Sequence, residues 1–486
     1  MRFAILLHRY LGLAIGFVIS LWCLSAFVMM YVQYPEYTDT ERPASLSTLD
    51  FSDCCSAETP RRIETAIGNG SLDRYRLEML AERPVIRLYS RGYQQVLDLI
   101  TGEQRFEFDA EAATQISKSF LNNLGLAGEA RYLGVVDTDQ WTLYAAHNAH
   151  RPLHHFAADD PADTQWYVSS TTGEVVQTTT FRERFWGWLG AVTHWIYFTE
   201  LRQRPATWAQ LVIWLSIASL FLTCIGIYIG ISRLKRFSNG RLSPYKGWAL
   251  WHHYVGLAFG LFTLTWLASG LLSMNPWGAL EGRSFFLDNQ RLRGGALGSA
   301  DVVAALQLVQ EQSTPRDSVQ IDSSIVNGEP ALVSRQKGGG RMLLSARDLT
   351  PSQRRESFFD QASALLRPDV AVSDKGWLEQ PDTYYYGHHQ PIDLPVYRVV
   401  YEDGERAYLD GLSGELSYAV DASQKWYRWL FLALHRGDFS AALRSRPIWD
   451  LLLLPLLLGV SISALTGTWL GFRRLFRRKK RQSLSD

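Results

Sequence analysis

The chain has 486 residues, more than one small domain holds, and its mean hydropathy of −0.10 averages four apolar stretches with polar regions of globular composition. Its 49 lysines and arginines nearly balance its 48 acidic residues, and this net charge of +1 predicts no nucleic-acid partner. The cysteines form no Cys-x-x-Cys pair and no Cys-x-x-Cys-His motif, which argues against zinc ribbons and c-type haem. The adjacent Cys54 and Cys55 form either a strained disulfide or two unrelated thiols.

Four apolar stretches are long enough to cross a bilayer, whose hydrocarbon core of about 30 Å requires roughly 20 helical residues. The first is too long for a signal peptide and no small-residue cleavage site follows it, so it is interpreted as an uncleaved signal anchor. In chain order the predicted segments are a transmembrane helix (1–32), a periplasmic domain (33–182), an interfacial helical segment (183–207), a second transmembrane helix (208–232), a cytoplasmic loop (233–247), a third transmembrane helix (248–274), a second periplasmic domain (275–423), a second interfacial segment (424–447), a fourth transmembrane helix (448–473) and a basic cytoplasmic tail (474–486).

Basic residues predict the orientation of these spans. They crowd the short loop between the second and third spans and the tail after the fourth, where the sequence between 473 and 481 holds seven lysines and arginines. Because loops rich in Lys and Arg stay in the cytoplasm, both termini and the short loop are expected there. The two long polar regions then lie outside, which in a Gram-negative bacterium is the periplasm. We therefore expect a multi-pass protein of the bacterial inner membrane, with the lipid bilayer as its first partner.

The chain resembles itself at an offset of about 242 residues. His8 aligns with His252, His194 with His435, and the Arg-x-Arg-Pro motif at 202–205 with that at 444–447. The Gly-x-aromatic-x-Gly motifs at 226–230 and 467–471 also correspond. Each half contains a span, an outer domain, an interfacial segment and a second span, so the two repeats are predicted to run parallel.

The outer regions show strand-turn-strand patterns, at 96–103, 166–175 and 407–416, with helical stretches between them at 111–124 and 300–312. These patterns predict small α+β domains with antiparallel sheets. The regions contain no G-x-G-x-x-G loop before a helix, no Walker loop and no H-E-x-x-H motif, so no soluble catalytic site is expected.

Four histidines occupy matched places at the ends of the spans. His8 and His252 lie one turn into the first and third spans, whereas His194 and His435 lie in aromatic segments just outside the second and fourth. Polar side chains at membrane depth are costly and usually functional, and two facing histidines can ligate a haem iron from both sides. Small residues on the same helix faces would make room for a porphyrin, although they are also common in helix packing. These are Gly12, Gly16, Gly256 and Gly260.

Two points about these sites stay open in the sequence. His253 is an alternative to His252, although its repeat partner is Arg9. The outer arginines could pair with haem propionates or an anionic substrate, or they could contact lipid phosphates at the start of a helix. They are Arg202, Arg204, Arg436, Arg444 and Arg446.

The outer domains offer further candidates for substrate contact. The run Tyr-Tyr-Tyr-Gly-His-His at 384–389 could face a substrate through Tyr386, His388 and His389, or it could be a structural aromatic cluster. His147 aligns with His388 in the repeat. A surface metal site among His150, His154 and His155 is a further hypothesis.

The L-H-x-Y-x-G-L-x-x-G pattern at the start of the span, the W-L-x-x-x-x-H segments and the D-x-x-T-G-E strands resemble the PepSY-associated transmembrane family. That family includes bacterial inner-membrane ferric-siderophore reductases, and the resemblance covers nearly the whole chain. It implies a mostly α membrane protein with four transmembrane helices in two parallel repeats, two α+β PepSY-like periplasmic domains and two b-type haems. His8 and His252 would hold the inner haem, and His194 and His435 the outer one. The segment 344–351 departs from the pattern because it lacks the Thr-Gly-Glu turn.

The expected function is transmembrane electron transfer from an inner donor, either quinol or a cytoplasmic reductase, to a ferric siderophore outside. Aromatic residues such as Trp22 and Trp266 could lie on the electron path. Reduction would release the iron, because Fe(II) binds such chelators weakly. The alternatives are a membrane-anchored PepSY binding or regulatory module without redox activity and, less consistent with the sparsely polar spans, a haem-free permease.

Overall fold

The computed structural model describes residues 1–68, 70–90, 92–126, 128–236, 240, 242–388 and 391–482, with side chains described as far as 476. The chain forms two compact units. The membrane unit comprises Met1–Tyr34, Glu183–Gly282 and Ala422–Asp486, and the polar unit comprises Pro35–Arg182 and Arg283–Asp421.

The helices are α1 (Arg2–Met29), α2 (Thr59–Ile67), α3 (Ala110–Leu124), α4 (Phe181–Gly187), α5 (Thr193–Trp195), α6 (Thr199–Arg202), α7 (Pro205–Arg233), α8 (Trp248–Ser273), α9 (Phe286–Arg293), α10 (Ser299–Glu311), α11 (Glu356–Leu366), α12 (Ala422–Tyr427), α13 (Leu434–Arg436), α14 (Ala441–Arg444) and α15 (Ile448–Gln482). Short 3₁₀ helices span Arg42–Ser45, Ala145–His150 and Pro276–Gly278, and π-helical segments span Trp188–Val192 and Arg428–Ala433.

The strands are β1 (Arg74–Leu80), β2 (Arg83–Ser90), β3 (Tyr93–Asp98), β4 (Gln104–Arg105), β5 (Arg131–Val136), β6 (Leu153–Ala157), β7 (Gln165–Ser169), β8 (Val175–Thr179), β9 (Ser318–Val326), β10 (Glu329–Gln336), β11 (Arg341–Ser345), β12 (Val372–Leu378), β13 (Val396–Tyr401), β14 (Arg406–Asp410) and β15 (Leu416–Val420).

Within the described residues, four helices of the membrane unit are long and apolar enough to cross a membrane: α1, α7, α8 and the Ile448–Phe476 part of α15. α1 packs against α7 and α15, and α8 packs against the same two helices, so the four form a closed bundle. Its centre contains Ile15, Ile19, Leu222 and Val460. α15 continues to Gln482, beyond the span boundary predicted at 473, because basic residues are favourable at a helix C-terminus.

The described residues of the polar unit form one large sheet and two smaller ones. The seven-stranded sheet has the order β11-β10-β9-β1-β2-β3-β4, and the four-stranded sheets are β5-β6-β7-β8 and β12-β13-β14-β15. β1 pairs with β9 in antiparallel register, with Leu77 opposite Ile321, and Arg76 forms a 2.8 Å ion pair with Asp322. The polar regions predicted as separate domains at 33–182 and 275–423 therefore share a sheet and form one unit.

The order of elements in the first half recurs in the second. Strands β1–β3 are followed by α3 and then by the meander β5–β8, just as β9–β11 are followed by α11 and then by β12–β15. The short elements that precede α7 recur before α15, each set including one π-helical segment.

The segment without a Thr-Gly-Glu sequence nevertheless forms the same turn. The Leu349 amide donates to the Ser345 carbonyl, and the Ser345 amide donates to the Thr350 carbonyl. Gly102 and Asp98 make the corresponding bonds in the first half, where Gly102 has a φ of 71°. Leu349 adopts a φ of 53°, so a leucine occupies the left-handed position that a glycine usually fills. Its side chain is 5% exposed in the core of the large sheet, and this burial offsets the backbone cost.

Cys54 and Cys55 are joined in a disulfide at the start of the polar unit. Both side chains pack at the edge of the large hydrophobic core.

Candidate functional site

The four matched histidines come together as two facing pairs within the membrane unit. His8 on α1 faces His252 on α8, with ring centres 6.3 Å apart. His194 on α5 faces His435 on α13, with ring centres 6.2 Å apart. A metal held between two imidazoles lies about 2 Å from each ligating nitrogen, which places the two ring centres roughly 6 Å apart. Both pairs therefore have the spacing of axial ligands on opposite sides of one metal.

Hydrogen bonds orient all four rings in the same way. Each Nδ1 lies within hydrogen-bond distance of a backbone carbonyl on a neighbouring helix. The pairs are His8 with Leu222 at 3.1 Å, His252 with Ser463 at 3.0 Å, His194 with Trp22 at 3.1 Å and His435 with Trp266 at 3.2 Å. A carbonyl can only accept, so Nδ1 carries the proton and the lone pair of the neutral ring is on Nε2. In the described residues no hydrogen bond occupies these Nε2 atoms, which leaves them available to a metal.

Two glycines allow the His8 and His252 rings to lie against a neighbouring helix. A Cβ on Gly226 would lie 2.8 Å from Cε1 of His8, and a Cβ on Gly467 would lie 2.8 Å from Cε1 of His252. Carbon atoms do not approach so closely without displacement, so any larger residue would move the ring. Gly226 and Gly467 are the first glycines of the repeated Gly-x-aromatic-x-Gly motif, which is visible in the sequence. Only the three-dimensional structure shows that they contact the histidines.

A cavity of about 470 Å³ surrounds the His8 and His252 pair. Its volume lies within the range of roughly 300–1,000 Å³ that is common for cofactor sites. Eight glycines line it: Gly12, Gly16, Gly226, Gly230, Gly256, Gly260, Gly467 and Gly471. Gly16 also packs against Thr468 of a neighbouring helix, and Gly260 packs against Ile227. These small residues therefore contribute both to the cavity and to helix packing.

Three arginines line the same cavity beside the His8 and His252 pair: Arg9, Arg473 and Arg474. In the described part of the chain, no acidic side chain lines it. The cavity therefore combines apolar walls with positive charge, which fits an apolar ring system that carries carboxylates. These arginines were not among the carboxylate partners expected from the sequence.

His253 has a different environment from His252. Its Nδ1 lies 2.7 Å from the Ser243 hydroxyl and its Nε2 lies 2.9 Å from the Gly230 carbonyl, so both nitrogens are engaged. The ring is 7% exposed and stacks on Tyr254. Of the two adjacent histidines, only His252 faces His8 with an available Nε2.

Each outer histidine follows a π-helical segment, and a tryptophan side chain bonds to the carbonyl of the residue after it. Trp188–Val192 precedes His194, and Arg428–Ala433 precedes His435. π-helical turns are rare and often occur at functional sites. The Trp208 indole donates to the Trp195 carbonyl at 2.9 Å, and the Trp449 indole makes the matching 2.7 Å bond to the Arg436 carbonyl.

Both outer histidines are neutral at physiological pH. Burial lowers the pKa of His194 to about 4. Burial, with His194 and Arg436 nearby, lowers the pKa of His435 to about 3. Neutral imidazole is the form that binds a metal.

Arg202 and Arg446 are held in matching aromatic environments. The Arg202 guanidinium lies 4.9 Å from the ring centre of Trp208, and that of Arg446 lies 5.2 Å from the ring centre of Trp449. Arg446 also donates to the Met30 carbonyl at 2.8 Å. These cation–π contacts anchor the starts of α7 and α15.

The other outer arginines differ from one another. Arg444 donates to the fully buried Asp438 at 2.8 Å, Arg436 lies over the Phe431 ring at 5.5 Å, and Arg204 is exposed before α7. The Phe431 ring centre lies 5.2 Å from that of His435. Phe431 therefore contacts both Arg436 and the candidate ligand His435.

In the polar unit, the tyrosine–histidine run packs as an aromatic cluster. Tyr385 stacks on Tyr408 with ring centres 4.9 Å apart, and the Arg406 guanidinium lies 4.7 Å from the ring centre of Tyr384. Tyr386 and His388 are half-buried, and His389 lies outside the described residues.

The remaining histidines of the polar unit have structural contacts. His147 is 8% exposed and lies near the Tyr144 ring, His154 bonds to the Phe108 carbonyl, and His155 stacks on Tyr167. His150 lies 3.1 Å from the Thr172 hydroxyl. Across the described ranges, no group of three His, Cys, Asp or Glu residues could hold a metal ion, so the hypothesis of a surface metal site gains no support.

A comparison with known proteins agrees with the motifs and with the four apolar helices. The model of the PepSY-associated TM region matches residues 5–478, nearly the whole chain. No curated protein matches the chain. The resemblance seen in the sequence is thereby confirmed, and the chain is a multi-pass membrane protein that belongs to the PepSY-associated transmembrane family.

Proposed function

We propose that the protein is a haem-containing inner-membrane reductase that passes electrons across the membrane to a periplasmic ferric siderophore. The observation that carries this proposal is the presence of two facing histidine pairs, each with Nδ1 bonded to a carbonyl and ring centres 6.2–6.3 Å apart. Membrane anchors alone would not require four histidines in this arrangement.

The two pairs lie at opposite ends of the bundle. His8 is near the start of α1, whereas His194 bonds to Trp22 on the same helix. The step of fourteen positions from His8 to Trp22 on α1 corresponds to an axial rise of about 21 Å, most of the thickness of a bilayer core. Two sites at this separation support a relay between the two membrane faces.

The residues present fit two b-type haems. Bound haem would supply a one-electron carrier at each site, and its potential would depend on axial ligands, hydrogen bonds and burial. His8 and His252 would be the ligands of the inner haem, and His194 and His435 those of the outer haem. Arg9, Arg473 and Arg474, which line the inner cavity, would pair with the propionates of the inner haem.

Trp266 supports a route between the sites. Its carbonyl accepts from His435, and its side chain packs against the bundle core around Ile19 and Val460. Trp22 has the equivalent place beside His194. We therefore retain both tryptophans as candidates for the electron path.

The positions of the basic residues support an orientation with the donor in the cytoplasm or the membrane and the acceptor in the periplasm. The donor would be quinol or a cytoplasmic reductase. One electron reduces each ferric ion to Fe(II), which the siderophore binds weakly and releases.

The first test is a dithionite-reduced-minus-oxidised absorption spectrum of the detergent-purified protein, with haem quantified as the pyridine haemochrome. We expect a b-type spectrum and about two haems per chain. A haem-free protein that also fails to take up added haem would contradict the proposal. The function would then be that of a membrane-anchored binding or regulatory module.

A further inference from the structure

The outer histidines share a second hydrogen-bond partner besides the carbonyl. Nδ1 of His194 lies 3.1 Å from the Ser25 hydroxyl, and Nδ1 of His435 lies 3.1 Å from the Ser269 hydroxyl. Ser25 is 3% exposed and Ser269 is 1% exposed, so water has little access to either hydroxyl. The two serines occupy equivalent places on α1 and α8.

The direction of these bonds follows from the other contacts of the hydroxyls. Ser25 donates to the Leu21 carbonyl at 2.7 Å or the Trp22 carbonyl at 3.1 Å, and Ser269 donates to the Trp266 carbonyl at 3.0 Å. A hydroxyl has one proton, so each Oγ is left to accept from the histidine Nδ1–H. Each outer imidazole therefore donates toward two oxygens at once.

From this geometry we propose that Ser25 and Ser269 lower the reduction potential of the outer haem. The inference rests on the haem binding proposed above. A second acceptor draws the Nδ1 proton away and makes Nε2 a more basic ligand, which stabilises ferric over ferrous iron. Ser25 and Ser269 are positioning residues that act through His194 and His435.

The inner pair provides an internal contrast. Nδ1 of His8 bonds to the Leu222 carbonyl, with no hydroxyl partner found among the described residues. Nδ1 of His252 lies 3.3 Å from the Thr466 hydroxyl, in addition to its carbonyl partner. Hydroxyl partners on both rings thus distinguish the outer pair, and the two sites can be altered separately.

An alternative explanation is that these serines only bond back to their own helices, as buried serines in apolar helices often do. Ser219 provides the matched control, because its hydroxyl donates to the Leu215 carbonyl at 2.7 Å and it is fully buried on α7. If Ser25 and Ser269 acted only in this way, their removal would have the same effect on the haems as the removal of Ser219.

The experiment is an optical redox titration of the full-length protein in detergent, for the wild type and for Ser25→Ala, Ser269→Ala, the double variant and Ser219→Ala. We expect the haem content to stay at two per chain and the midpoint potential of one haem to rise in each single variant and further in the double variant. The potential of the inner haem in these variants, and both potentials in Ser219→Ala, should equal those of the wild type. Ser269→Thr keeps a hydroxyl, so its outer haem should have the lower potential of the wild type. Thr466→Ala removes a hydroxyl near His252 and should raise the potential of the inner haem.

Unchanged potentials in the haem-replete double variant would overturn this inference and leave the proposed function intact. A wild-type protein that binds no haem would instead contradict the proposed function itself. If the double variant loses haem, the potentials of the two single variants provide the same test, because each of them keeps one of the two serine hydroxyls.

Discussion

Removal of His194 should affect the proposed outer haem site and leave the proposed inner site intact. His194 has no contact with the His8 and His252 pair, which lies about 21 Å away along α1. His194→Ala should reduce the haem content from two per chain to one and abolish periplasmic ferric-siderophore reduction. Haem analysis and a reductase assay in membrane vesicles measure both effects. His155→Ala, which removes a ring stacked on Tyr167 in the polar unit, should leave both unchanged. Full reductase activity in His194→Ala would exclude the proposed route.

Substitution of Gly226 tests whether the proposed inner haem site requires the close approach of His8 to α7. An alanine Cβ at this position would lie 2.8 Å from Cε1 of His8, so Gly226→Ala should displace the ring and weaken the inner haem. The expected result is loss of about one haem per chain, with the spectrum of the outer haem preserved as an internal control. Gly467→Ala should have the same effect through His252. Retention of both haems with unaltered spectra in both variants would show that the inner ligands lie elsewhere.

The pairing of His8 with His252 and of His194 with His435 could be predicted from the sequence, because their spacing recurs in both halves. The hydrogen bonds that orient them could not, since the partners are backbone carbonyls of Leu222, Ser463, Trp22 and Trp266. A carbonyl is present at every position, so the residue type does not identify the acceptor. His253 illustrates the same limit, because only the fold shows that Ser243 and Gly230 occupy both of its nitrogens.

At the scale of elements, a buried ion cluster joins the large sheet to the turn between β7 and β8. Arg87 on β2 is fully buried and donates to Glu78 on β1 at 2.7 Å, and Arg42 lies 2.5 Å from Glu174 in the turn. These arginines hold the pKa of the Glu174 carboxyl well below its usual value of 4.5, despite the opposing effect of burial. Because the folded pKa is the lower one, the cluster contributes its full stability above about pH 4.5 and loses it as the pH falls through the folded pKa.

Glu174→Gln should therefore destabilise the polar unit by about 3–5 kcal/mol at pH 7, because it removes the nearest carboxylate from Arg42 and leaves the buried cluster with an excess of positive charge. It should also reduce the loss of stability at acid pH. Chemical unfolding followed by circular dichroism, repeated from pH 7 down to about pH 2, measures both effects. Glu58→Gln, in an exposed pair with Arg62, should change the unfolding free energy by less than about 1 kcal/mol. Equal effects of the two substitutions would show that the buried cluster carries no special stability.

The elements themselves were predictable to different degrees. The four long apolar helices follow from composition, and their bounds differ from the predicted ones mainly where α15 extends to Gln482. The turn at Leu349 was not predictable, because a leucine takes a left-handed conformation only when its burial compensates for the strain. The pairing of β1 with β9 was missed as well, since it joins residues almost 250 positions apart and depends on both halves of the chain.

At the scale of the whole molecule, both histidine pairs join the two halves of the chain. Each half supplies one histidine to each pair: His8 and His194 come from the first half, and His252 and His435 from the second. The two halves also share the large sheet of the polar unit. One half alone would therefore have single histidines and a sheet with an unpaired strand, so both halves are needed to complete the proposed sites.

The orientation of the molecule determines the side on which a ferric ion could be reduced. Loops rich in Lys and Arg remain in the cytoplasm, which predicts a periplasmic polar unit and a cytoplasmic loop at 233–247. In a Cys23→Ala, Cys224→Ala background, Ser373→Cys in the polar unit should react with a membrane-impermeant maleimide in cells with a permeabilised outer membrane. Lys246→Cys should react only after the inner membrane is lysed, and both positions are exposed. The reverse labelling pattern would place the His8 and His252 pair at the periplasmic face, and ferric-siderophore reduction would then have to be sought on the cytoplasmic side.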